Sequence, residues 1–292
     1  MNDCKIPKQM NFFWIGRMSY MRWLTLHTFV SLNPDWTIYL YNPPSETIIP
    51  KYWEGDTDDD SSYDGNDFSI CIPPTIIQKQ FNPPCPMGAA QMCDLFQWQL
   101  LASEGGFYAD MDILWIRPID LIYEQVCKSD IVFCLESDVL AIGFVAGAPG
   151  CCVFKDINRI LRVIPNRDYQ HYGSSMLYRF ANMKRIQFDK QPGVEFLGLL
   201  QNRYKNLSIG RIPDKTVYPY DWREISKIFC CCQEVPKDSV GLHWFGGDPL
   251  SHQWNEALGP NCWYAYRNTF TRCLEWLSKQ VSVSPPIINR LI

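Results

Sequence analysis

Met10-Asn11-Phe12-Phe13-Trp14-Ile15, closed by Gly16, is a short apolar run that reads as a buried first strand. Outward from it, Ser19 to Leu32 carries Met21, Leu24, Leu26, Phe29 and Val30 at helical spacing and stops before the turn signal Asn33-Pro34. Thr37 to Tyr41 is β-branched and aromatic and ends at Asn42-Pro43-Pro44, as a second strand does. A strand, a helix and a strand in this order predict a right-handed parallel unit and set the chain in the α/β class.

The pattern continues downstream. The Pro-rich stretch from Ile72 to Pro86 leads into a helix over Gly88 to Glu104, stopped by Gly105-Gly106, and Phe107 to Ile116 follows as a strand interrupted by charge. Further strands are expected at Ile131 to Leu135, Val139 to Ala146 and Val240 to Trp244. Helices are expected near Val153 to Ile164, Ser174 to Met183, Gly193 to Tyr204 and Trp263 to Lys279. Glu54 to Asp67 (EGDTDDDSSYDGND) is acidic and aperiodic; it lacks the register and closing Glu of a calcium loop and reads as a solvated, mobile insertion. No repeat or linker divides the chain, so residues 1–292 read as one domain, with 261–292 as a C-terminal helix and tail.

Composition bounds the function. The 292 residues are 47% hydrophobic and 14% aromatic, enough to fill a core and exclude global disorder. Lys+Arg 27 against Asp+Glu 31 leaves a net charge of −4, which offers no electrostatic footprint for nucleic acid. Met1 to Gln9 is not a signal region, and no apolar run reaches the ~18 residues a membrane span needs. The 13 cysteines, with Cys151-Cys152 and Cys230-Cys231-Cys232 adjacent, form no paired C-x-x-C zinc site and read as reduced, mostly buried thiols of a cytoplasmic protein.

The chemistry lies in Gly105-Gly106-Phe107-Tyr108-Ala109-Asp110-Met111-Asp112. On a strand Asp110 and Asp112 share one face while Met111 packs on the other, with the two Cα atoms ~6.6 Å apart. One carboxylate can hold a divalent ion while its companion holds a neighbouring hydroxyl; hard oxygen ligands suit Mn²⁺ or Mg²⁺. The upstream helix brings Asp94 to the same neighbourhood, beside an apolar face that includes Trp98 and Leu101. Trp14, at the C-terminal end of the first strand, sits where α/β sheets bind ligands, and is otherwise core filler. His243 follows a strand and precedes the turn Gly246-Gly247; it is either a third ligand or structural, with His252 as the competing candidate.

These residues resemble the DXD-motif glycosyltransferases: glycosyltransferase family 32 and the catalytic domains of the large clostridial glucosylating toxins. Ala90, Cys93-Asp94, Leu100-Leu101 and Gly105 to Asp112 match the central motif without a gap, with Cys93 where Ser is usual and Gln97 where the family has Arg. Ile6-Pro7-Lys8 through Trp14-Ile15-Gly16 is similar to the opening motif, with Asn11 replacing His. Asn33-Pro34, the stretch from Ile212-Pro213 to Val217-Tyr218-Pro219, and Ser251-His252-Gln253-Trp254 match further elements. The family's Asn near Ala141-Ile142-Gly143-Phe144 and its Thr-Gly-Pro turn near Lys190-Gln191-Pro192 are replaced, so acceptor choice does not carry over.

The resemblance implies a GT-A-type, Rossmann-like domain with a mainly parallel sheet and helical elaborations, and a hexosyltransferase that retains configuration. It implies Asp112, with Asp110 and His243, as metal ligands for Mn²⁺ (or Mg²⁺), and Asp110, Asp112 and Asp94 as catalytic residues. Donor contacts would come from Trp14, Ile15, Gly16, Asp94, Gln97, Tyr108, Asp110, Met111 and Trp254, with Trp14 stacking on the base. The implied donor is a nucleotide sugar, UDP-hexose ahead of GDP-mannose, and the implied acceptor a glycan or glycoprotein. Asp189 and Gln191 lie in a loop that suits a nucleophile. Two rivals stand beside this: a degenerate relative that binds sugar or nucleotide without turnover, and a metal-dependent phosphoesterase.

Overall fold

The computed structural model describes residues 3–47, 63–135, 141–161, 172–181 and 192–286. In chain order the elements are β1 (Gln9–Phe13), α1 (Tyr20–Leu32), β2 (Thr37–Asn42), β3 (Ile77–Gln80), α2 (Ala89–Ser103), β4 (Gly106–Ala109), β5 (Ile113–Trp115), α3 (Asp120–Val126), β6 (Ile131–Leu135), β7 (Phe144–Gly147), α4 (Cys152–Leu161), α5 (Ser174–Phe180), α6 (Pro192–Arg203), β8 (Ile209–Pro213), α7 (Ile225–Phe229), β9 (Gly241–His243), α8 (Pro249–Ala257) and α9 (Thr269–Ser278). Seven strands form one sheet in the order β3-β2-β1-β4-β7-β6-β8; β5 and β9 make a separate two-stranded ladder. In the large sheet only β7 runs against its neighbours, so the protein is mixed α/β with a mostly parallel central sheet.

The predicted opening unit is present. Ser19 caps α1 by accepting the Arg22 amide, and β1 and β2 pair in parallel from Gln9↔Thr37 to Phe13↔Tyr41. Side-chain alternation then divides the core between the two sheet faces. Met10, Phe12, Phe107, Ala109, Phe144 and Ala146 pack with Met21, Leu24 and Phe29 of α1. Phe13, Tyr108, Phe133 and Val145 pack with Phe96 and Trp98 of α2 and Phe154 of α4. α2 ends where Gly105, at φ +67, turns left-handed and its amide bonds back to the Leu100 carbonyl, so the chain enters β4 at once.

Several expectations are corrected. The strand expected over Phe107 to Ile116 is broken in two: β4 stays in the large sheet, β5 leaves it to pair with β9, and Asp110-Met111-Asp112 form the junction. The helix expected over Trp263 to Lys279 begins only at Thr269, where Asn268 supplies a capping box; Trp263–Ala265 is a single 3-10 turn. The acidic insertion is fixed at its end, because Asp67 Oδ1 accepts the Met18 and Ser69 amides and Tyr63 is buried; the rest of it, like Asp189 and Gln191, lies outside the described residues. Cys4 and Cys127 are bonded rather than reduced; the Lys5 and Ile6 amides both donate to the Cys127 carbonyl and bring the two segments together. Among the described residues no helix is long and apolar enough to cross a membrane.

Candidate metal and donor site

Alternation along β4 explains the first half of the site. Tyr108 points to the α2 side, so Asp110, two residues on, also faces α2, where Asp94 stands. The Tyr108 hydroxyl donates to Asp110 Oδ1 at 2.8 Å, and Cys93 Sγ lies 2.8 Å from the same hydroxyl, so the Cys of α2 contacts the carboxylate's partner. Burial and then the Asp110 charge raise the Asp94 carboxyl well above the usual range.

The break after Asp110 turns Asp112 inward. Met111 is buried, and its carbonyl accepts the Thr25 hydroxyl at 2.8 Å, which ties the junction to α1. Asp112 is 8% exposed, and its carbonyl accepts the Trp244 amide just beyond β9. The β5–β9 ladder, in which Ile113 pairs with His243, carries the imidazole in from the far end of the chain. His243 Nε2 lies 3.1 Å from Asp112 Oδ1 and 3.8 Å from Asp110 Oδ2. The ligand atoms of the three residues fall within 4.8 Å of one another.

Second contacts hold these groups. Asp112 Oδ2 accepts the Gly246 amide at 2.7 Å, whereas Oδ1 is buried without a hydrogen bond. The Phe245 amide nitrogen lies 3.3 Å from His243 Nδ1, on the side of the ring away from the carboxylates that Nε2 faces. Phe245 takes a left-handed φ of +50, a strained conformation for a side chain of that size. Burial alone would lower the imidazole pKa, but Asp112 and Asp110 outweigh it and hold His243 up to about 9. Burial likewise opposes ionisation of Asp112, yet His243, Arg22 and the Gly246 amide keep it well below the usual carboxylate range.

Two carboxylates and one imidazole with their ligand atoms drawn this close fit a divalent ion that accepts hard oxygen and borderline nitrogen ligands. His252, the competing candidate, lies elsewhere, 3.1 Å from Glu256 on α8.

The remaining predicted residues are spread around this cluster. Trp14 is buried at the end of β1 with the Arg22 guanidinium 4.9 Å over its ring, while Ile15 is half-buried and Gly16 exposed at φ +85. Gln97 is buried and donates to the Ile142 carbonyl at 2.6 Å, so its amide is spent on the segment leading into β7. Trp254 sits on α8, stacked on Phe229 and edge-on to Tyr266.

Four residues around the cluster have no site role in the sequence reading, although Gly143, Tyr218 and Gly246 stand in stretches that it singles out. A Cβ at Gly143 would overlap Asp110 Oδ2, so only glycine lets that carboxylate occupy its place. The Tyr218 ring lies 4.9 Å from the His243 ring. Gly246 supplies the amide to Asp112, and Arg22 approaches the same oxygen at 3.9 Å. Arg22 had an unused signal: it is the single Lys or Arg in the apolar helix Tyr20 to Leu32, and a buried charge requires a partner.

Compared with known protein families and with curated proteins, the chain matches none. Among solved structures it is similar to the glycosyltransferase GlyE of Streptococcus pneumoniae TIGR4, at 16% identity over 97% of this chain and 67% of that one, with a TM-score of 0.41. It is also similar to the galactosyltransferase LgtC, solved with donor and acceptor sugar analogs, at 11% identity over 95% and 97% of the two chains, with a TM-score of 0.40. The PaToxG glycosyltransferase aligns at 13% identity over 68% and 74%, with a TM-score of 0.39. These are distant likenesses in fold.

Proposed function

We propose that this protein is a metal-dependent glycosyltransferase of GT-A type, moving a hexose from a nucleotide sugar to a hydroxyl of a glycan or glycoprotein. The observation that carries this is the meeting of Asp110, Asp112 and His243 at the C-terminal end of a central strand, the place where α/β sheets bind ligands. Mn²⁺ suits a set that includes an imidazole better than Mg²⁺, which prefers an all-oxygen shell. When bound, the ion supplies charge neutralisation for a diphosphate leaving group.

The protein's own groups do the rest. Asp112 is held ionised and divided between Gly246 on one oxygen and the cluster on the other. Asp110, fixed by Tyr108 and part-exposed, faces Asp94; the pair hydrogen-bonds ribose or sugar hydroxyls and fixes the reacting carbon. Ile15 and Gly16 form the base-side rim with Trp14 as its wall, and transfer retains configuration, as the family resemblance implies. UDP-hexose is the favoured donor and GDP-mannose the second.

Thermal unfolding with UDP or GDP, each with and without Mn²⁺, tests the reading without an acceptor. Ligand at ~100 Kd adds ~2.7 kcal/mol, a rise of several degrees for a chain of this size. A rise that needs both UDP and Mn²⁺ supports the proposal, and a GDP-only rise redirects the donor. No rise with either nucleotide, or a rise without release of nucleotide from any sugar donor, moves the protein to a binding role.

A further inference from the structure

Arg22 is 5% exposed, a costly place for a charge unless the surroundings compensate it. Its Cζ lies over two indoles, 4.9 Å from the Trp14 ring centroid and 4.5 Å from that of Trp244. Its Nη1 approaches Asp112 Oδ2, the same oxygen that accepts the Gly246 amide. A Cβ at Gly246 would overlap the guanidinium, so the loop after β9 is built around it. The opposite oxygen of Asp112 has no hydrogen bond and faces His243.

We infer that Arg22 is a positioning residue for the metal site: clamped between Trp14 and Trp244, it holds one oxygen of Asp112 and thereby presents the other to the cluster. This rests on the cluster being a metal site, as proposed above. It also accounts for position 97: Gln97 is neutral and committed to the Ile142 carbonyl, and the fixed cation beside the carboxylates comes from α1 instead. The clamp joins three separate pieces of chain, the end of β1, the first turn of α1 and the residue after β9. Lys, a point charge on a flexible stem, keeps the attraction but not the broad planar face that Arg22 offers to both indoles.

The test is a double-mutant cycle in metal-free protein, with Arg22→Met (stem kept, charge removed) and Arg22→Lys, each with Asp112 intact and with Asp112→Asn, read by urea unfolding. Arg22→Met is expected to cost about tenfold more in the folding equilibrium when Asp112 is intact, with partial rescue in Arg22→Lys. Equal costs in the two backgrounds would show packing alone and overturn the inference. A Mn²⁺ titration followed by tryptophan fluorescence adds a second readout: Arg22→Met should weaken Kd by ~10- to 100-fold, the scale of a lost outer partner. An unchanged or tighter Kd in a folded variant would also overturn it. Should Arg22→Met fail to fold, Arg22→Lys carries both measurements. Absence of Mn²⁺ binding in the wild-type protein would sink the functional proposal, while the metal-free cycle would still decide whether Arg22 holds Asp112.

Discussion

Asp112 Oδ1 and His243 Nε2 stand 3.1 Å apart without an aligned hydrogen bond, although both are buried. A buried carboxylate and imidazole this close need a positive charge between them, a proton on Nε2 in the metal-free protein or a cation in its place. His243→Gln, which keeps a polar side chain of similar reach, should therefore weaken Mn²⁺ binding by at least tenfold and remove most metal-dependent transfer. Calorimetric titration of folded variant with Mn²⁺ checks this; wild-type affinity would exclude His243 as a ligand.

The same pair makes stability pH-dependent in metal-free protein. The His243 pKa rises from 6.5 to about 9 on folding, so its contribution is complete below about pH 6.5 and lost as pH climbs through about 9. The size is about 3 kcal/mol, from 1.36 kcal/mol per pKa unit. Urea midpoints measured in chelator from pH 6 to 10 should fall across that window, and His243→Gln should flatten the fall. Mn²⁺ competes with the proton, so its affinity should strengthen over the same window.

Gly143→Ala tests how much room Asp110 needs. The new methyl would meet Asp110 Oδ2 and come within 3.0 Å of the Tyr218 hydroxyl, so the carboxylate must move. Transfer and metal affinity should each drop by roughly tenfold or more, on the scale of an outer-contact loss. Gly198→Ala on α6 is the matched control: nothing lies within 4 Å of its added Cβ, and it should gain about 0.5–1 kcal/mol of stability with unchanged activity.

Trp14→Ala separates wall from contact. The indole is buried and covered by Arg22, so its removal should cost about 3–5 kcal/mol by cavity formation. If Trp14 also stacks on the donor base, KM for the donor rises by a further ~1–3 kcal/mol equivalent. Thermal unfolding and donor KM measured on the same sample distinguish the two contributions.

The fold was legible where the apolar pattern and its punctuation agree: the strand at Met10, the capped helix after Ser19 and the Gly105 stop all stand as expected. The strand break at Asp110 was hidden because Ile113-Leu114-Trp115 continues as an apolar run, and its new partner, Leu242, is distant in sequence. β3 escaped notice because Ile77 to Gln80 is short, mostly exposed and set in proline-rich chain. Asp110, Asp112 and His243 were named from sequence, but their convergence depends on that break. Arg22 and Gly143 act through contacts with residues far along the chain, which no local spacing reveals.

The β5–β9 ladder also sets an order of events during synthesis. Asp110 and Asp112 emerge from the ribosome with the first half of the chain, but the ligand that completes their set arrives only with Gly241 to His243, after every strand of the large sheet has been made. A nascent or truncated chain that ends before β9 contains every strand of the large sheet yet lacks His243 and the Gly246 amide. If the cluster holds an ion as proposed, ion capture would act as a proofreading step, rewarding only the chain whose late segment has docked. Separately expressed fragments divided between β8 and β9 should bind Mn²⁺ tightly only when mixed.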